Sequence, residues 1–195
     1  MVYSANEVSD ETYSCVICQA FDVEIFVTVP KVPVLCNILW PTAAEAKAVN
    51  RVDIPLAFCH RCGHIFNPHF DPALMDYSQV YENSLHFSPR FQQFAESLAA
   101  DLVERHNLHR KTIVEISCGK GDFLTMLCEM GENEGYGFDP SYVGETVVHA
   151  GKGHVTFVKD FYSEEYSDHP ADFLCCQHTL EHIEQPRDFM TMVRN

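Results

Sequence analysis

The sequence predicts an α/β protein in which a parallel sheet follows a smaller, β-rich domain that binds a metal. Three observations support this prediction. Two C-x-x-C pairs lie in β-branched, proline-punctuated sequence near the start of the chain. After residue 110, four short apolar stretches typical of strands are separated by stretches typical of helices, and a glycine-rich turn follows the first strand. Strands that alternate with helices favour a parallel sheet with right-handed crossovers.

Composition limits the possible classes of protein. The 195 residues include 13 Lys+Arg and 28 Asp+Glu, a formal charge of −15, which argues against nucleic acid and anionic membranes as partners. The most apolar stretch, residues 23–40, is interrupted by Glu24, Lys31 and two prolines, so we expect no membrane span. Nine cysteines behind an acidic amino terminus indicate reduced thiols, metal ligands and a cytoplasmic location.

We expect three segments along the chain: a metal-binding domain at 1–69, a connector with an amphipathic helix at 70–110, and a nucleotide-binding type of domain at 111–195. In the connector, Ser88-Pro89 predicts the N-cap and first residue of a helix that runs to about His106. Tyr77 and Tyr81 precede this helix. They either pack in the core or line the mouth of the nucleotide site, where Tyr81 would contact the cofactor.

The cysteine pairs of the first segment predict a zinc ribbon. Two C-x-x-C turns can supply the four thiolates of a structural, tetrahedral Zn²⁺ site that leaves no open position for chemistry. Gly63 follows the second pair, where positive φ lets backbone N–H groups turn toward a sulfur. The alternatives are buried thiol pairs or redox motifs; His60, His64 and Cys36 are interpreted as packing or surface residues. The predicted ligands are Cys15, Cys18, Cys59 and Cys62.

The sequence pattern of the last segment, residues 111–195, predicts alternating strands and helices. A helix over 122–128 closes at Gly131, and Ser141 caps a further helix. Together with right-handed crossovers, this pattern predicts a parallel sheet. The predicted strands are 113–116, 135–138, 154–158 and 172–176.

The glycine-rich turn after the first of these strands carries the chemistry. Gly119 and Gly121 let a ligand lie against bare backbone, and Asp139 at the end of the next strand can accept hydrogen bonds from ribose hydroxyls. Leu124 stands where a dinucleotide fingerprint needs its third glycine. Glu115, four residues before Gly119, instead fits the E/D-x-G-x-G-x-G pattern of S-adenosylmethionine-dependent methyltransferases.

The motifs EISCGKGDFL, GFDPS, KDFY and HTLEHIEQP resemble successive motifs of a class I methyltransferase. Preceded by CxxC…CxxCGHIFN and MDYSQVYENS, they resemble the zinc-containing C-methyltransferases that act on nucleotide-linked deoxysugars. The resemblance implies a Rossmann-like sheet of order 3-2-1-4, S-adenosylmethionine as cofactor and a small-molecule substrate. The family adds further strands and a C-terminal domain, so we expect a domain that is incomplete at the C-terminus.

The resemblance also implies roles for individual residues. Glu115, Ser117, Gly119 and Gly121 would bound the methionine pocket, and Ser117 narrows the turn because the family usually has glycine there. Asp139 would contact the ribose, and Asp160 and Phe161 would flank the adenine. Gln177 and His178 would close the pocket on the methyl side.

The catalytic candidates follow the fourth strand, beside the crevice where open α/β sheets bind ligands. Histidine is the natural base near neutral pH. His178 and His182, at i and i+4, are predicted to share a helix face, with Glu181 on a neighbouring one. Alternatively these residues only cap the helix and contact the cofactor.

Two other classes of protein remain open. A noncatalytic zinc-containing binding module with a degenerate nucleotide fold is favoured by Ser117 and by the incomplete domain, whereas the intact spacing of Asp139 argues against it. A nicotinamide oxidoreductase is disfavoured by Leu124. The sequence leaves the methyl acceptor and the oligomeric state open.

Overall fold

The structure of the protein, a computed structural model, describes residues 12–35, 38–74, 88–166 and 170–194. These residues form two compact units. The first unit holds the described part of 12–74 with Glu184–Thr191, and the second holds the described part of 88–183 with 192–194. Within the described ranges, no helix has both the length and the apolar character needed to cross a bilayer.

The first unit contains an antiparallel sheet of three strands. Strands β1 (Val23–Pro33), β2 (Arg51–Cys59) and β3 (Ile65–Phe66) lie in the order β1-β2-β3. The prolines of β1 lie on an edge strand, where a missing backbone N–H is tolerated. The predicted small β-rich domain is therefore confirmed.

A short helix, α1 (Ala43–Ala48), lies between β1 and β2 and was not predicted from the sequence. Thr42 and Glu45 form a capping box at its start: the Glu45 N–H donates to Thr42 Oγ1 at 3.2 Å, and the Thr42 N–H donates to Glu45 Oε2 at 3.1 Å. These two hydrogen bonds satisfy backbone donors that a helix start leaves unpaired.

The second unit begins with helix α2 (Pro89–His106), as the sequence predicts. Ser88 is its N-cap and accepts a hydrogen bond from the Phe91 N–H at 3.4 Å. Asn107 ends the helix in the left-handed conformation at φ 51°. Small residues four apart form the buried face of the helix: Ala95, Ala99 and Val103.

The main sheet has five strands in the order β6-β7-β5-β4-β8. All neighbouring pairs are parallel except β6 and β7. Apart from β6, the order is the predicted 3-2-1-4, and the Rossmann-like α/β class is confirmed. The strands are β4 (Thr112–Ile116), β5 (Glu134–Phe138), β6 (Val147–Ala150), β7 (Gly153–Val158) and β8 (Phe173–Cys175).

The prediction that Ser141 caps a helix is wrong. Its hydroxyl and its backbone N–H both bind the Asp139 carboxylate, at 2.6 and 2.8 Å, so its side chain is occupied in a turn. The β-branched residues Val147 and Val148 that follow favour a strand, and they form β6.

Helix α3 (Asp122–Gly131) packs between the main sheet and α2. The prediction that this helix closes at Gly131 is confirmed: Gly131 is its last residue, and Glu132 after it takes the left-handed conformation at φ 55°. Glycine is required at 131 because a Cβ there would lie 2.0 Å from the carbonyl oxygen of Leu108. Beyond β8, a 3-10 turn spans Leu180–His182 and helix α4 spans Pro186–Arg194.

Asn133 joins the end of α3 to the start of the sheet. Its side chain, 1% exposed, donates to the carbonyl oxygens of Leu108 at 3.0 Å and Leu127 at 2.8 Å. Its Oδ1 accepts from the Lys111 N–H at 2.9 Å. This one buried amide therefore satisfies three backbone groups from three segments.

We expect Asn133→Ala to lower the free energy of unfolding by about 2–4 kcal/mol, because the substitution leaves buried backbone groups without partners. Urea denaturation followed by circular dichroism measures the change. The control is Asn107→Gly, at the other asparagine that follows a helix, where glycine suits the left-handed backbone and stability should hold or rise. Equal, small effects of both substitutions would contradict the role given to Asn133.

Candidate functional site

In the second unit, the residues predicted to bind the cofactor or to catalyse the reaction lie near the ends of the parallel strands of the main sheet or in the segments that follow them. We call this edge, formed by the ends of β4, β5, β7 and β8 and the residues that follow them, the carboxyl edge. Parallel strands bring their carboxyl ends together, which is where open α/β sheets bind ligands. The residues concerned are Glu115, Ser117, Gly119, Gly121, Asp139, Asp160, Phe161, Gln177, His178, Glu181 and His182.

The turn between β4 and α3 is left-handed at three alternate residues: Ser117 at φ 57°, Gly119 at φ 57° and Gly121 at φ 82°. Glycine adopts this conformation freely, whereas an L-residue such as Ser117 pays about 1–2 kcal/mol. At Gly121 a Cβ would lie 2.2 Å from the ring of Phe157. The backbone of this turn therefore passes close to β7.

Asp139 follows β5 directly and lies against this turn. The residue is 7% exposed, and its carboxylate accepts a hydrogen bond from the Gly119 N–H on Oδ2 at 2.9 Å. Oδ1 accepts from the N–H and the hydroxyl of Ser141. A carboxylate offers about four acceptor positions, so these bonds leave capacity on Oδ2 for a further donor.

Glu115 lies near the end of β4, buried to 3% exposure. In the sheet register it stands between Gly137 of β5, which has no side chain, and Cys175 of β8. The Leu124 N–H, in the first turn of α3, donates to its carboxyl group. Its Oε2 has no hydrogen-bond partner among the residues that the structure describes.

Burial raises the pKa of Glu115 to about 8, from a usual value near 4.5. The Leu124 N–H opposes this rise, and the negative charges of Asp122 and Asp139 add to it. At neutral pH the protonated form of this carboxyl group is therefore favoured in the free protein.

Gln177, two residues beyond β8, has a buried side-chain Nε2 that also lacks a partner within the described part of the chain. Its backbone carbonyl accepts the Thr179 hydroxyl at 2.9 Å. The carboxyl edge thus contains a buried acceptor, Glu115 Oε2, and a buried donor, Gln177 Nε2, from neighbouring strands. The two atoms suit the ammonium and carboxylate groups of an amino-acid moiety such as the methionine end of S-adenosylmethionine.

His178 comes next, in the left-handed conformation at φ 51°. Its Nδ1 lies 3.9 Å from Glu181 Oε1, and the two side chains are 68% and 56% exposed. The prediction that His178 and His182 share a helix face is wrong, because the segment forms only a 3-10 turn. The left-handed residue breaks the helical path, and the Thr179 hydroxyl binds Gln177 instead of capping a helix.

Asp160 and Phe161 follow β7. Asp160 accepts from the Phe161 N–H at 2.8 Å and from the Tyr166 hydroxyl at 2.9 Å, and this second bond raises the pKa of Tyr166. The fixed turn leaves the Phe161 ring 72% exposed at the end of the strand. An aromatic ring held in this way offers a flat surface to a base.

Tyr77 and Tyr81 of the connector were considered for the mouth of the nucleotide site, with Tyr81 as a cofactor contact. Both lie outside the described residues, as does Cys36 of the first segment. Sequence reasoning passed over Thr179, whose hydroxyl binds the Gln177 carbonyl, and gave Ser141 the role of a helix cap, although its hydroxyl binds Asp139. Their positions next to the predicted residues were the available signal.

A cleft of about 310 Å³ lies at the opposite edge of the sheet, lined by residues 110–112, 132–134 and 152–154. Lys152 pairs with Glu132 at 2.8 Å and lowers the pKa of that carboxylate. Asp172, which does not line the cleft, has its pKa lowered first by the Thr112 N–H and then by Lys111 at 2.9 Å. Both lysines of the cleft therefore have anionic partners, and none of its lining residues is a predicted site residue.

In the first unit the four predicted ligands come together. The sulfur atoms all lie within 4.8 Å of one another, with Cys15 to Cys62 and Cys18 to Cys59 both at 3.6 Å. A disulfide needs about 2.05 Å, whereas a tetrahedral zinc site with 2.3 Å bonds separates its sulfurs by about 3.8 Å. The cluster therefore has the dimensions of a four-thiolate metal site.

The backbone around the second cysteine pair favours ionised sulfur. Burial opposes ionisation of Cys59, yet N–H groups of Cys62 and Arg61 lower its pKa to about 7. The His64 N–H favours ionised Cys62, but burial and the neighbouring thiols raise its pKa to about 12. Gly63 has φ 78°, as predicted. The four thiols therefore need a cation to ionise together.

His60 and His64 lie outside this cluster, in agreement with their interpretation from the sequence as packing or surface residues. His60 lies 3.3 Å from Glu24 and edge-on to Phe58, and His64 stacks on Phe66.

With the geometry in place, comparison with known proteins identifies the class. A family model described as a methyltransferase domain matches residues 90–195, more than half of the chain. The chain therefore belongs to the methyltransferase-domain family. Its class is that of the S-adenosylmethionine-dependent methyltransferases. A search of curated proteins found no match.

We expect the purified chain to contain one bound Zn²⁺, measured by elemental analysis, and to lose it in Cys62→Ser, because three thiolates bind zinc more weakly. Cys176→Ser, at a half-buried thiol of the second unit, is the control and should keep the metal. Full metal content in Cys62→Ser, or none in the unaltered chain, would contradict the assignment.

The pH dependence of stability should report the buried carboxyl group. Because the pKa of Glu115 is raised on folding, its contribution to stability is complete below about pH 4.5 and is lost as pH rises toward 8. We expect Glu115→Gln to match the unaltered chain at pH 5 and to be more stable by a few kcal/mol at pH 8 in urea denaturation. A difference that does not change with pH would show that Glu115 is already ionised in the folded chain.

Proposed function

We propose that this protein transfers the methyl group of S-adenosylmethionine to a carbon atom of a nucleotide-linked sugar. Family membership supports the class of reaction. The four-cysteine cluster ahead of the methyltransferase domain supports the acceptor, since that combination of motifs resembles the sugar C-methyltransferases. The observation that carries the proposal is the pair of buried unpartnered atoms, Glu115 Oε2 and Gln177 Nε2, in the described part of the carboxyl edge.

Each part of the cofactor has a chemical match at this edge. Glu115 and Gln177 would hold its amino-acid end, and the remaining acceptor capacity of Asp139 would hold the ribose. Phe161, with Asp160 fixing its turn, would face the adenine. When bound, S-adenosylmethionine supplies an electrophilic methyl group on a sulfonium, and the residues named here orient it for in-line transfer.

A carbon acceptor sets a further requirement, because it must lose a proton as the new C–C bond forms. Such a proton is acidic enough only beside a carbonyl group, so the acceptor class is a keto sugar carried on a nucleotide. His178 is the proposed base: Nδ1 faces Glu181 at 3.9 Å, which leaves Nε2 for the acceptor proton. Glu181 would steady the charged imidazolium.

The four thiolates of the first unit are proposed to hold a structural Zn²⁺. All four tetrahedral positions are occupied by the cysteines, so the metal would contribute folding energy rather than catalysis.

Calorimetric titration with S-adenosylhomocysteine and, separately, with NAD⁺ tests the cofactor. The proposal predicts binding of the first and none of the second. Binding of neither ligand would favour the noncatalytic binding module, and binding of NAD⁺ alone would favour an oxidoreductase.

Transfer of an isotope-labelled methyl group tests the acceptor. The keto form of a nucleotide-linked deoxysugar should become labelled, and the same sugar with the carbonyl reduced to a hydroxyl should not. Equal labelling of both, or label on an oxygen atom, would overturn carbon methylation.

The role of His178 can be separated from cofactor binding. We expect His178→Asn to lower kcat by about 10²–10⁴-fold, because asparagine tolerates the left-handed backbone but cannot act as a base. The Kd for S-adenosylhomocysteine should change less than threefold. His182→Asn, in the exposed 3-10 turn, is the control and should keep kcat. If the two variants lose activity equally, His178 is not the base.

A further inference from the structure

The Glu115 carboxyl group has an environment that the proposed function does not by itself explain. It is 3% exposed and stands between a glycine and a cysteine of the neighbouring strands. The Leu124 N–H binds the group, while its Oε2 has no partner within the described ranges. A charged carboxylate in such a place is unfavourable unless a cation approaches it.

The titratable groups that the described structure brings near Glu115 are acids and thiols. Asp122 and Cys128 lie on α3, Cys118 lies in the turn before it, Asp139 follows β5, Cys175 lies on β8, and Cys176 follows β8. The two aspartates disfavour a further negative charge, and burial raises the pKa of the four thiols, which keeps them neutral. The protein itself therefore holds Glu115 in its neutral, protonated form near pH 7.

We infer that the cofactor site takes up the α-ammonium group of its ligand in exchange for a proton, so that binding releases one proton from Glu115 to solvent. This inference rests on the proposed function and adds to it a dependence of cofactor affinity on pH. The α-ammonium group supplies a positive charge that none of the described groups acting on Glu115 provides.

The exchange balances in atoms and charge. The O–H bond of the Glu115 carboxyl group breaks, its proton passes to buffer, and the carboxylate forms a hydrogen-bonded ion pair with the incoming ammonium group. Because the ionised carboxylate is the binding form, affinity rises with pH. The rise is about tenfold per pH unit on the acidic side and levels off near pH 8, where the carboxyl group of the free protein ionises.

Calorimetric titration of the full chain with S-adenosylhomocysteine at pH 6.5, in two buffers of different ionisation enthalpy, counts the protons released. We expect close to one proton per ligand bound, and a Kd that falls about tenfold between pH 6 and pH 7. Glu115→Gln has nearly the same shape and can still accept the Leu124 N–H, so it should fold. It should release no proton and show a flat pH dependence.

Three controls isolate the source of the proton. Asp122→Asn removes a neighbouring acid, and His178→Asn removes an imidazole of the carboxyl edge; both should still release close to one proton. The third control is a ligand, 5′-methylthioadenosine, which lacks the amino-acid end and should release none.

The outcomes separate this inference from the proposed function. Binding of S-adenosylhomocysteine without proton release, or with equal release in Glu115→Gln, would overturn the inference and leave the methyltransferase proposal in place. Absence of binding at pH 6.5 and at pH 8.5 would instead overturn the proposed cofactor site, and the inference with it.

Discussion

The left-handed turn between β4 and α3 is the constraint on which the carboxyl edge depends. It reverses the chain so tightly that the N–H of Leu124 reaches Glu115, while the N–H of Gly119 reaches Asp139 on the next strand. Both acidic side chains are therefore fixed by backbone groups of one short segment. Gly121 makes this possible because the ring of Phe157 occupies the space where a Cβ would be.

The two acidic side chains near this turn differ in how many hydrogen bonds the protein itself gives them. Asp139 accepts three hydrogen bonds, from the N–H groups of Gly119 and Ser141 and from the Ser141 hydroxyl, whereas Glu115 Oε2 has no partner in the described structure. Buried polar atoms are normally paired, so such an atom points to a group that the protein receives from outside. Family membership and the unpartnered, buried Glu115 Oε2 of the described structure both support a cofactor with an amino-acid end.

Much of this architecture could be predicted because its signals are local. Ser88 and Pro89 mark the start of α2, and the acid and glycines at 115–121 mark the turn. The strand order followed from resemblance to a known fold. The capping box of Thr42 and Glu45 was also readable, although periodicity alone missed helix α1.

The wrong predictions share a physical cause, which is competition for a side chain or a backbone conformation. Ser141 is a good N-cap residue, but the Asp139 carboxylate engages its hydroxyl. His178 looks helical by spacing, but its left-handed backbone ends that possibility. These competitors, a hydrogen bond within a local turn and a left-handed backbone conformation, are not encoded by the spacing of residues along the sequence.

The central claim is that the buried carboxyl group of Glu115 exists to receive a cationic ligand group at the carboxyl edge. A crystal structure of the chain with S-adenosylhomocysteine tests this most directly. The account predicts the ligand's amino nitrogen within hydrogen-bond distance of Glu115 Oε2 and its carboxylate within reach of Gln177 Nε2. A ligand bound elsewhere, or bound here with Glu115 Oε2 still unpartnered, would contradict it.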